Sequence, residues 1–244
     1  MLREQGLPKP GGPAFQKHPG DWVTAADLAS EHAILEVLAR RAPGIPVLAE
    51  ETGGDRAGTM WAVDPLDGTR NFTRGMPVVG LSVALIDGGM PAAAVVLAPW
   101  LDLEFTAERG RGARRNGEPL PTAALVDPVS AVVATGFPFR RKPRIPRYLP
   151  VFAGALARFE DLRRAGAAAL DLAWTGAGVF DGFFELGLNT WDIAGGALVV
   201  LETGGRVTDW GGDDRSWLAG GDILAGSPAV HSALLELAAQ APEG

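Results

Sequence analysis

Two carboxylates three residues apart, Asp64 and Asp67, follow a short apolar run and stand just before Gly68 and Thr69. The run Trp61-Ala62-Val63 reads as the end of a buried strand, stopping at Asp64-Pro65 because proline offers no ladder donor and fixes φ. Gly68 and Thr69 then open a new segment whose unpaired N–H groups point at an anion. Two acids held this close repel each other and any phosphate, so the arrangement makes chemical sense with hard divalent cations between them. The stretch from Met60 to Pro77 therefore reads as a Mg²⁺ and phosphate site. Asp-Pro and Asp-Gly are also ordinary turn pairs, and the rest of the chain has to decide between the two readings.

Phosphatases of the haloacid-dehalogenase type place a nucleophilic and an acid-base Asp two residues apart before Gly-Thr. Here the interval is three, with Pro65 and Leu66 between. That spacing favours direct attack by a metal-activated water over a covalent aspartyl-phosphate.

The elements that have to position these groups can be read in chain order. Residues 1–20, rich in Gly and Pro, read as a loop or a loosely packed arm. Thr24 and Asp27 have the spacing of a capping box, opening a helix with Leu28, Leu35 and Leu38 as its buried stripe. Ile45 to Ala49 predicts a short buried strand running into Glu50-Glu51. Strands over 78–86 and 91–97 meet at the hairpin signal Asp87-Gly88-Gly89. Leu101 to Thr106 continues the meander, and Asn116-Gly117 marks a further turn. The second half reads as a strand over 129–136, a helix over 148–159, a strand over 161–164 and a small-residue helix over 165–178. A strand over 180–186 carries Asp181 and Glu185, and a helix from Trp191 to Glu202 has Asp192 in its first turn. Strands over 206–210 and 222–225 precede a last helix begun by Ser227-Pro228. Gly176 and Gly178 end a helix and lack the third glycine of a dinucleotide fingerprint.

Composition sets limits on function. The 244 residues, 47% hydrophobic with a net charge of −7, describe a globular enzyme-sized chain and disfavour nucleic acid as a partner. Arg140, Arg141, Lys142, Arg144 and Arg147 form a basic run that reads as a solvated loop or a rim on the substrate side. With no cysteine there is no thiolate nucleophile and no disulfide, which points to a reducing cytoplasm. Neither a signal peptide nor a membrane-spanning run is evident. His32 and His231 read as helix-surface residues and His18 as a loop residue; they form no ligand set.

Four features recur together: the Thr24/Asp27 helix start, Glu50-Glu51 after a strand, Asp64 to Thr69, and Trp191 to Gly196 at a helix start. In order and spacing they resemble the signature segments of the inositol monophosphatase family, within the Mg²⁺-dependent, lithium-sensitive sugar phosphatases. The resemblance runs from about Lys17 to the C-terminus. It implies an α+β fold, the layered αβαβα sugar-phosphatase arrangement, with an antiparallel sheet in the first half and a mixed sheet in the second. A single unit, 1–244, would comprise a metal and phosphate half (1–121) and a substrate half (122–244). By the same resemblance Glu50, Asp64 and the Leu66 carbonyl hold one Mg²⁺, and Asp64, Asp67 and Asp192 a second. Glu50 helps hold a third through waters, giving two or three ions, with Mn²⁺ as the alternative metal. The resemblance assigns the phosphate to the Gly68 and Thr69 N–H groups, the attacking water to the Thr69 hydroxyl backed by Asp27, substrate hydroxyls to Glu185, and a mobile-loop role to Lys17.

A Mg²⁺-dependent phosphomonoesterase for inositol monophosphates or related sugar phosphates follows, expected as a cytoplasmic homodimer with no nucleic-acid or membrane partner. Arg164 and Ala167 stand where family members often carry hydroxyls. An arginine there meets a second phosphate or carboxylate, which brings in fructose 1,6-bisphosphate as an alternative substrate beside histidinol phosphate and 3′-phosphoadenosine 5′-phosphate. A metal- and phosphate-binding regulatory protein without turnover is the reading from a different class.

Overall fold

The computed structural model describes residues 11–18, 21–56, 58–123 and 126–242. A hairpin of β1 (Ala14–His18) and β2 (Asp21–Thr24) leads into α1 (Ala25–Arg41). A seven-stranded sheet follows, in the order β3 (Val47–Ala49), β4 (Thr59–Asp67), β5 (Gly80–Asp87), β6 (Met90–Ala98), β7 (Leu103–Glu108), β8 (Gly112–Arg115) and β9 (Glu118–Pro119). The short helix α2 (Thr69–Thr73) joins β4 to β5. Every neighbouring pair is antiparallel except β3 and β4, which run parallel. Strict alternation of buried and half-exposed residues along Gly80–Ile86 shows why β5 is central: its period of two puts one face into the core.

The second sheet has five strands in the order β11 (Asp161–Arg163), β10 (Val132–Thr135), β12 (Gly182–Glu185), β14 (Ile223–Gly226), β13 (Arg206–Thr208). It is mixed: β10 runs parallel to β11 and β12, and β14 antiparallel to β12 and β13. Between the sheets lie α4 (Ala168–Gly176) and α5 (Thr190–Glu202), α5 touching strands of both sheets. On the outer side of the five-stranded sheet sit α3 (Ile145–Arg158) and α7 (Pro228–Ala238), and α1 packs on β4. With α6 (Trp217–Gly220), these make seven α-helices among the described residues, in αβαβα layers.

Glycine sets the spacing of the central helices. A Cβ on Gly196 of α5 would come within 2.5 Å of the Ala169 carbonyl and Leu172 of α4, and one on Gly176 within 2.8 Å of Val199. The two helices therefore approach backbone to backbone. The main core runs through them, from Ala84 and Val96 on one sheet to Phe183 and Ala225 on the other.

Several expectations are corrected. The segment read as a loop over 1–20 contains strand β1 at Ala14–His18, and His18 ends that strand; residues 1–10 and 19–20 lie outside the described residues. Leu28 is 55% exposed, because α1 turns Asp27 and Glu31 inward where backbone donors satisfy them. β4 does not stop at Pro65 but continues to Asp67, a register shift between Asp64 and Asp67 absorbing the missing donor as a bulge. His231 is buried, not on the helix surface, with Nε2 2.9 Å from the Thr208 hydroxyl. Ser227 occupies the N-cap of α7, but its side chain makes no capping bond.

Candidate active site

The bulge of β4 is the centre of the site. Asp64 is buried there and its Oδ1 accepts from the Leu66 N–H at 3.0 Å, folding the carboxylate back over the bulge. The Pro65 carbonyl accepts from Ser30 on α1 at 2.8 Å, which pins the same segment from the other side. Asp67 takes the first N–H groups of α4 on its two oxygens, Ala168 at 3.1 Å and Ala169 at 2.7 Å. Asp192, in the first turn of α5, accepts from the Asn189 N–H at 2.6 Å. Glu50 follows β3 and stands 3.9 Å from both Lys17 and Arg140. Lys17 bonds more closely to Glu51, at 2.8 and 3.0 Å.

These four acids come from three places along the chain, Glu50 after β3, Asp64 and Asp67 on β4 and Asp192 on α5, and act on one another. Burial, then the charges of Glu50, Asp67 and Asp192, push the Asp64 carboxyl well above its ordinary value. Glu50 is pushed up to about 8, first by burial and then by Asp192, with Lys17 and Arg140 pulling the other way. Asp67 is pushed up to about 7 by burial and Asp192, against the helix N–H groups it accepts. The acids form an open cluster: among the described residues no three such side chains close into a cage as they stand.

Beside the cluster, Thr69 is buried at the start of α2, its hydroxyl 3.2 Å from Asp27 and 3.3 Å from the Leu66 carbonyl. Asp27 is fixed in turn by the N–H and hydroxyl of Thr24. Gly68 sits at φ 91°, and a side chain there would press on the Val78 carbonyl at 3.0 Å, so the turn into α2 requires glycine. Asp67, Gly68, Thr69 and Asp192 line a cavity of about 190 Å³. Glu185, at the end of β12, and Arg164 also line it. Burial and the neighbouring Asp171 and Asp192 raise the Glu185 carboxyl, while Arg164 lowers it.

The structure thus brings Glu50, Asp64, Leu66, Asp67 and Asp192 together with Asp27 and Thr69, and sets Gly68, Arg164 and Glu185 around the adjoining cavity. Sequence reasoning missed Asp171 of α4. It is buried, its carboxyl is raised by burial and by Asp67, and its Oδ1 has no hydrogen-bond partner among the described residues. The signal was a lone charge in the small apolar run Ala167–Ala173. Asn71 was also missed: it joins Val78 to Ala165, both at 2.8 Å, and so holds α2 against the loop before α4.

A model of the inositol monophosphatase family matches residues 4–243. The chain belongs to the inositol monophosphatase family. Among curated relatives it is 40% identical over 225 residues to the Nus factor SuhB of Escherichia coli strain K12, covering 91% of this chain and 84% of that protein. It is likewise 40% identical to an inositol-1-monophosphatase of Mesorhizobium japonicum, over 90% of this chain and 84% of the relative. The crystal structure of the extragenic suppressor protein SuhB from Bartonella henselae superposes with a TM-score of 0.87 at 36% identity, covering 93% of this chain and 88% of that one. The layered fold is therefore that of inositol monophosphatases. No helix among the described residues is long and apolar enough to cross a membrane.

For a member of this family the donor chemistry of the cluster can be tested directly. Only oxygens are offered, each carboxylate is oriented by a backbone donor or a neighbouring cation, and their mutual repulsion is relieved by positive charge. That set fits a hard divalent ion and not a thiophilic one.

Proposed function

We propose that the chain is a Mg²⁺-dependent phosphomonoesterase acting on inositol monophosphates or related sugar phosphates by direct attack of water on phosphorus. The observation that carries the reading is the convergence of Glu50, Asp64, Asp67 and Asp192, whose charges raise one another's proton affinity, beside the Thr69–Asp27 pair. Glu50, Asp64 and the Leu66 carbonyl would hold one ion, Asp64, Asp67 and Asp192 a second, and Glu50 would help hold a third. Bound there, Mg²⁺ or Mn²⁺ supplies charge neutralisation, a more acidic water and stabilisation of the leaving oxygen.

The chain's own groups do the rest. The Thr69 hydroxyl donates a hydrogen bond to Asp27, which leaves the Oγ1 lone pairs to accept one from a water and fix its direction of attack. Gly68 and Thr69 orient the phosphoryl group at the turn, and Glu185 takes substrate hydroxyls within the same cavity. A single acid-base pair suffices, and no histidine takes part. A homodimer in a reducing cytoplasm completes the reading, resting on the family and on the lack of cysteine.

Phosphate release is measured with inositol 1-phosphate in Mg²⁺. Asp192→Asn should lose activity by on the order of 10³-fold while staying folded, since several kcal/mol of charge stabilisation go with it. Full activity in that variant, or in the parent with excess chelator, would refute the proposal. The Nus factor name of the Escherichia coli relative favours a second reading, a regulatory protein acting through partner contacts. Tight binding of phosphate esters with no release from any of them would decide for it.

A further inference from the structure

The β1–β2 hairpin stands outside both large sheets. Among the described residues its two strands pair only with each other. A lone two-stranded ribbon is marginal in water, so what holds it comes from elsewhere in the chain. At its base β2 runs into α1, where Asp27 takes the N–H and hydroxyl of Thr24 and lies 3.2 Å from the Thr69 hydroxyl. A second attachment lies along its side: the guanidinium of Arg70, on α2, is over the Trp22 ring, 4.5 Å from its centre. That is cation–π geometry, and tryptophan gives the strongest contact of this kind. α2 is a firm post for it, because Phe72 is buried with Leu66 and Val79 and its ring packs against Trp100.

What the hairpin delivers is a cation. Trp22 pairs with Gln16 and Asp21 with His18, which leaves Lys17 as the extra residue of a bulge. Bulges re-aim a side chain, and the Lys17 ammonium donates to both Glu51 oxygens, at 2.8 and 3.0 Å, and stands 3.9 Å from Glu50. The bulge adjoins the Gln16–Trp22 pair, so the stacked ring fixes the ribbon from which Lys17 projects. An ammonium in that place has the same sign as the ion that the proposed function puts on Glu50. Both are drawn to the same carboxylates and repel each other, so a divalent ion binds better once Lys17 is released.

We infer that Trp22 and Arg70 are positioning residues: their stacking latches the hairpin to α2 and keeps Lys17 on the Glu50–Glu51 pair as a built-in counter-cation, which a divalent ion has to displace. The inference rests on the metal site of the proposed function, but its first test needs neither metal nor turnover. Amide exchange of β1 and β2, followed by mass spectrometry with chelator present, should quicken on the order of 3- to 30-fold in Trp22→Leu and in Arg70→Met. That is about the population change that the loss of one cation–π contact brings. The double variant should be no faster than either single one, since both remove the same contact. Arg70→Lys and Trp22→Phe should each return part of the protection. Arg74→Ala, exposed at the end of the same helix, should exchange like the parent.

Mg²⁺ titration by calorimetry comes next. A ligand that binds only the loosened form gains affinity in proportion to the population of that form, so the Kd should fall on the order of 2- to 10-fold in both variants. Trp22→Leu changes no charge and is the cleaner of the two. At saturating Mg²⁺ the KM for inositol 1-phosphate should stay that of the parent. Unchanged exchange in Trp22→Leu, or effects of the two substitutions that add, would overturn the latch. Equal or weaker Mg²⁺ binding in Trp22→Leu would overturn Lys17 as the competing cation. A raised KM in Arg70→Met alone would overturn the inference in favour of a direct contact between Arg70 and the phosphoryl group. The expected exchange and Mg²⁺ shifts in a protein that releases no phosphate would support the latch and overturn the phosphatase reading alone.

Discussion

Replacing Asp64 by Asn removes a negative charge from the centre of the cluster while leaving the oxygen that accepts from Leu66 at 3.0 Å. The expected result is a metal-free protein that is more stable than its parent at alkaline pH and no more stable at acid pH. Folding raises Glu50 from 4.5 to about 8 and Asp67 from 3.8 to about 7. Between roughly pH 4 and 8 the folded chain keeps protons that the unfolded chain gives up, so stability is lost as pH rises through that window. A tenfold change in proton affinity is worth about 1.4 kcal/mol, which sets an upper limit of about 4 kcal/mol for each group ionised at pH 8. Water entry and relaxation reduce such penalties, and the groups titrate as a set, so removing the Asp64 charge should recover about 2 kcal/mol at pH 8.

For a chain of this length that gain corresponds to a rise in Tm of about 4–8 °C. Calorimetric unfolding with chelator present, from pH 5 to 8.5, reads it directly. His231 works in the opposite direction: burial, with Arg206 beside it, lowers its pKa to about 4, so its contribution is lost as pH falls below its ordinary value. Taking the difference between variant and parent at each pH cancels that term and isolates the carboxylates. Mg²⁺ should raise the Tm of the parent more at pH 8 than at pH 5, and that of the variant less. A difference that does not change with pH, or a parent more stable than Asp64→Asn at pH 8, would refute the electrostatic account of the site.

Thr69→Val keeps the branched shape but removes the hydroxyl between Asp27 and the Leu66 carbonyl; kcat should fall by about 10²- to 10⁴-fold with a smaller change in KM, and Thr69→Ser should restore most of it. Initial-rate kinetics decide this, and equal losses in Val and Ser would point to packing instead of proton handling. Gly196→Ala puts a methyl group into the α4–α5 contact, where Leu172 and the Ala169 carbonyl lie within 2.5 Å of its position. Overpacking of this kind costs about 1–3 kcal/mol, read as a lower midpoint in urea, and an unchanged midpoint would mean the helices have room to separate.

What was legible in the sequence follows from how local each cause is. Caps and hairpins were: Thr24 and Asp27 close on each other within one turn, and Asp87-Gly88-Gly89 has one neighbour on each side to join. The bulge at Pro65 was not, because whether a proline ends a strand depends on the strand beside it, and β5 keeps pairing to Asp67. The exposed Leu28 has the same origin. Apolar spacing alone places it inward, but α1 is rotated by Glu31, which takes the Glu51 and Thr52 N–H groups at 2.9 and 2.8 Å. His231 was misplaced because its partner, Thr208, lies 23 residues away on β13. The acids of the cluster were each visible with a purely local explanation, and only the order of four segments along the chain, compared with a family, tied them together. Asp171 carried no motif at all, and its significance appears only where α4 meets Asp67.

How a fold sustains so much like charge follows from where its helices begin. Asp67 sits on the first N–H groups of α4 and Asp192 within the first turn of α5, so two helix N-termini face the cluster from the five-stranded side. β3 and β4 bring Glu50 and Asp64 from the seven-stranded side, where Lys17 and Arg140 stand 3.9 Å from Glu50. The helix ends can approach because glycine lets α4 and α5 lie backbone to backbone, and because both are buried along most of their length, so apolar packing supplies what the charges withhold. Asp64 has the least relief: one N–H from its own bulge against three carboxylates. An unrelieved charge in the β4 bulge, beside three other carboxylates, is unfavourable for stability alone. Its presence is intelligible if a cation completes the site, and the pH-dependent gap between Asp64→Asn and its parent measures the repulsion that such a cation would remove.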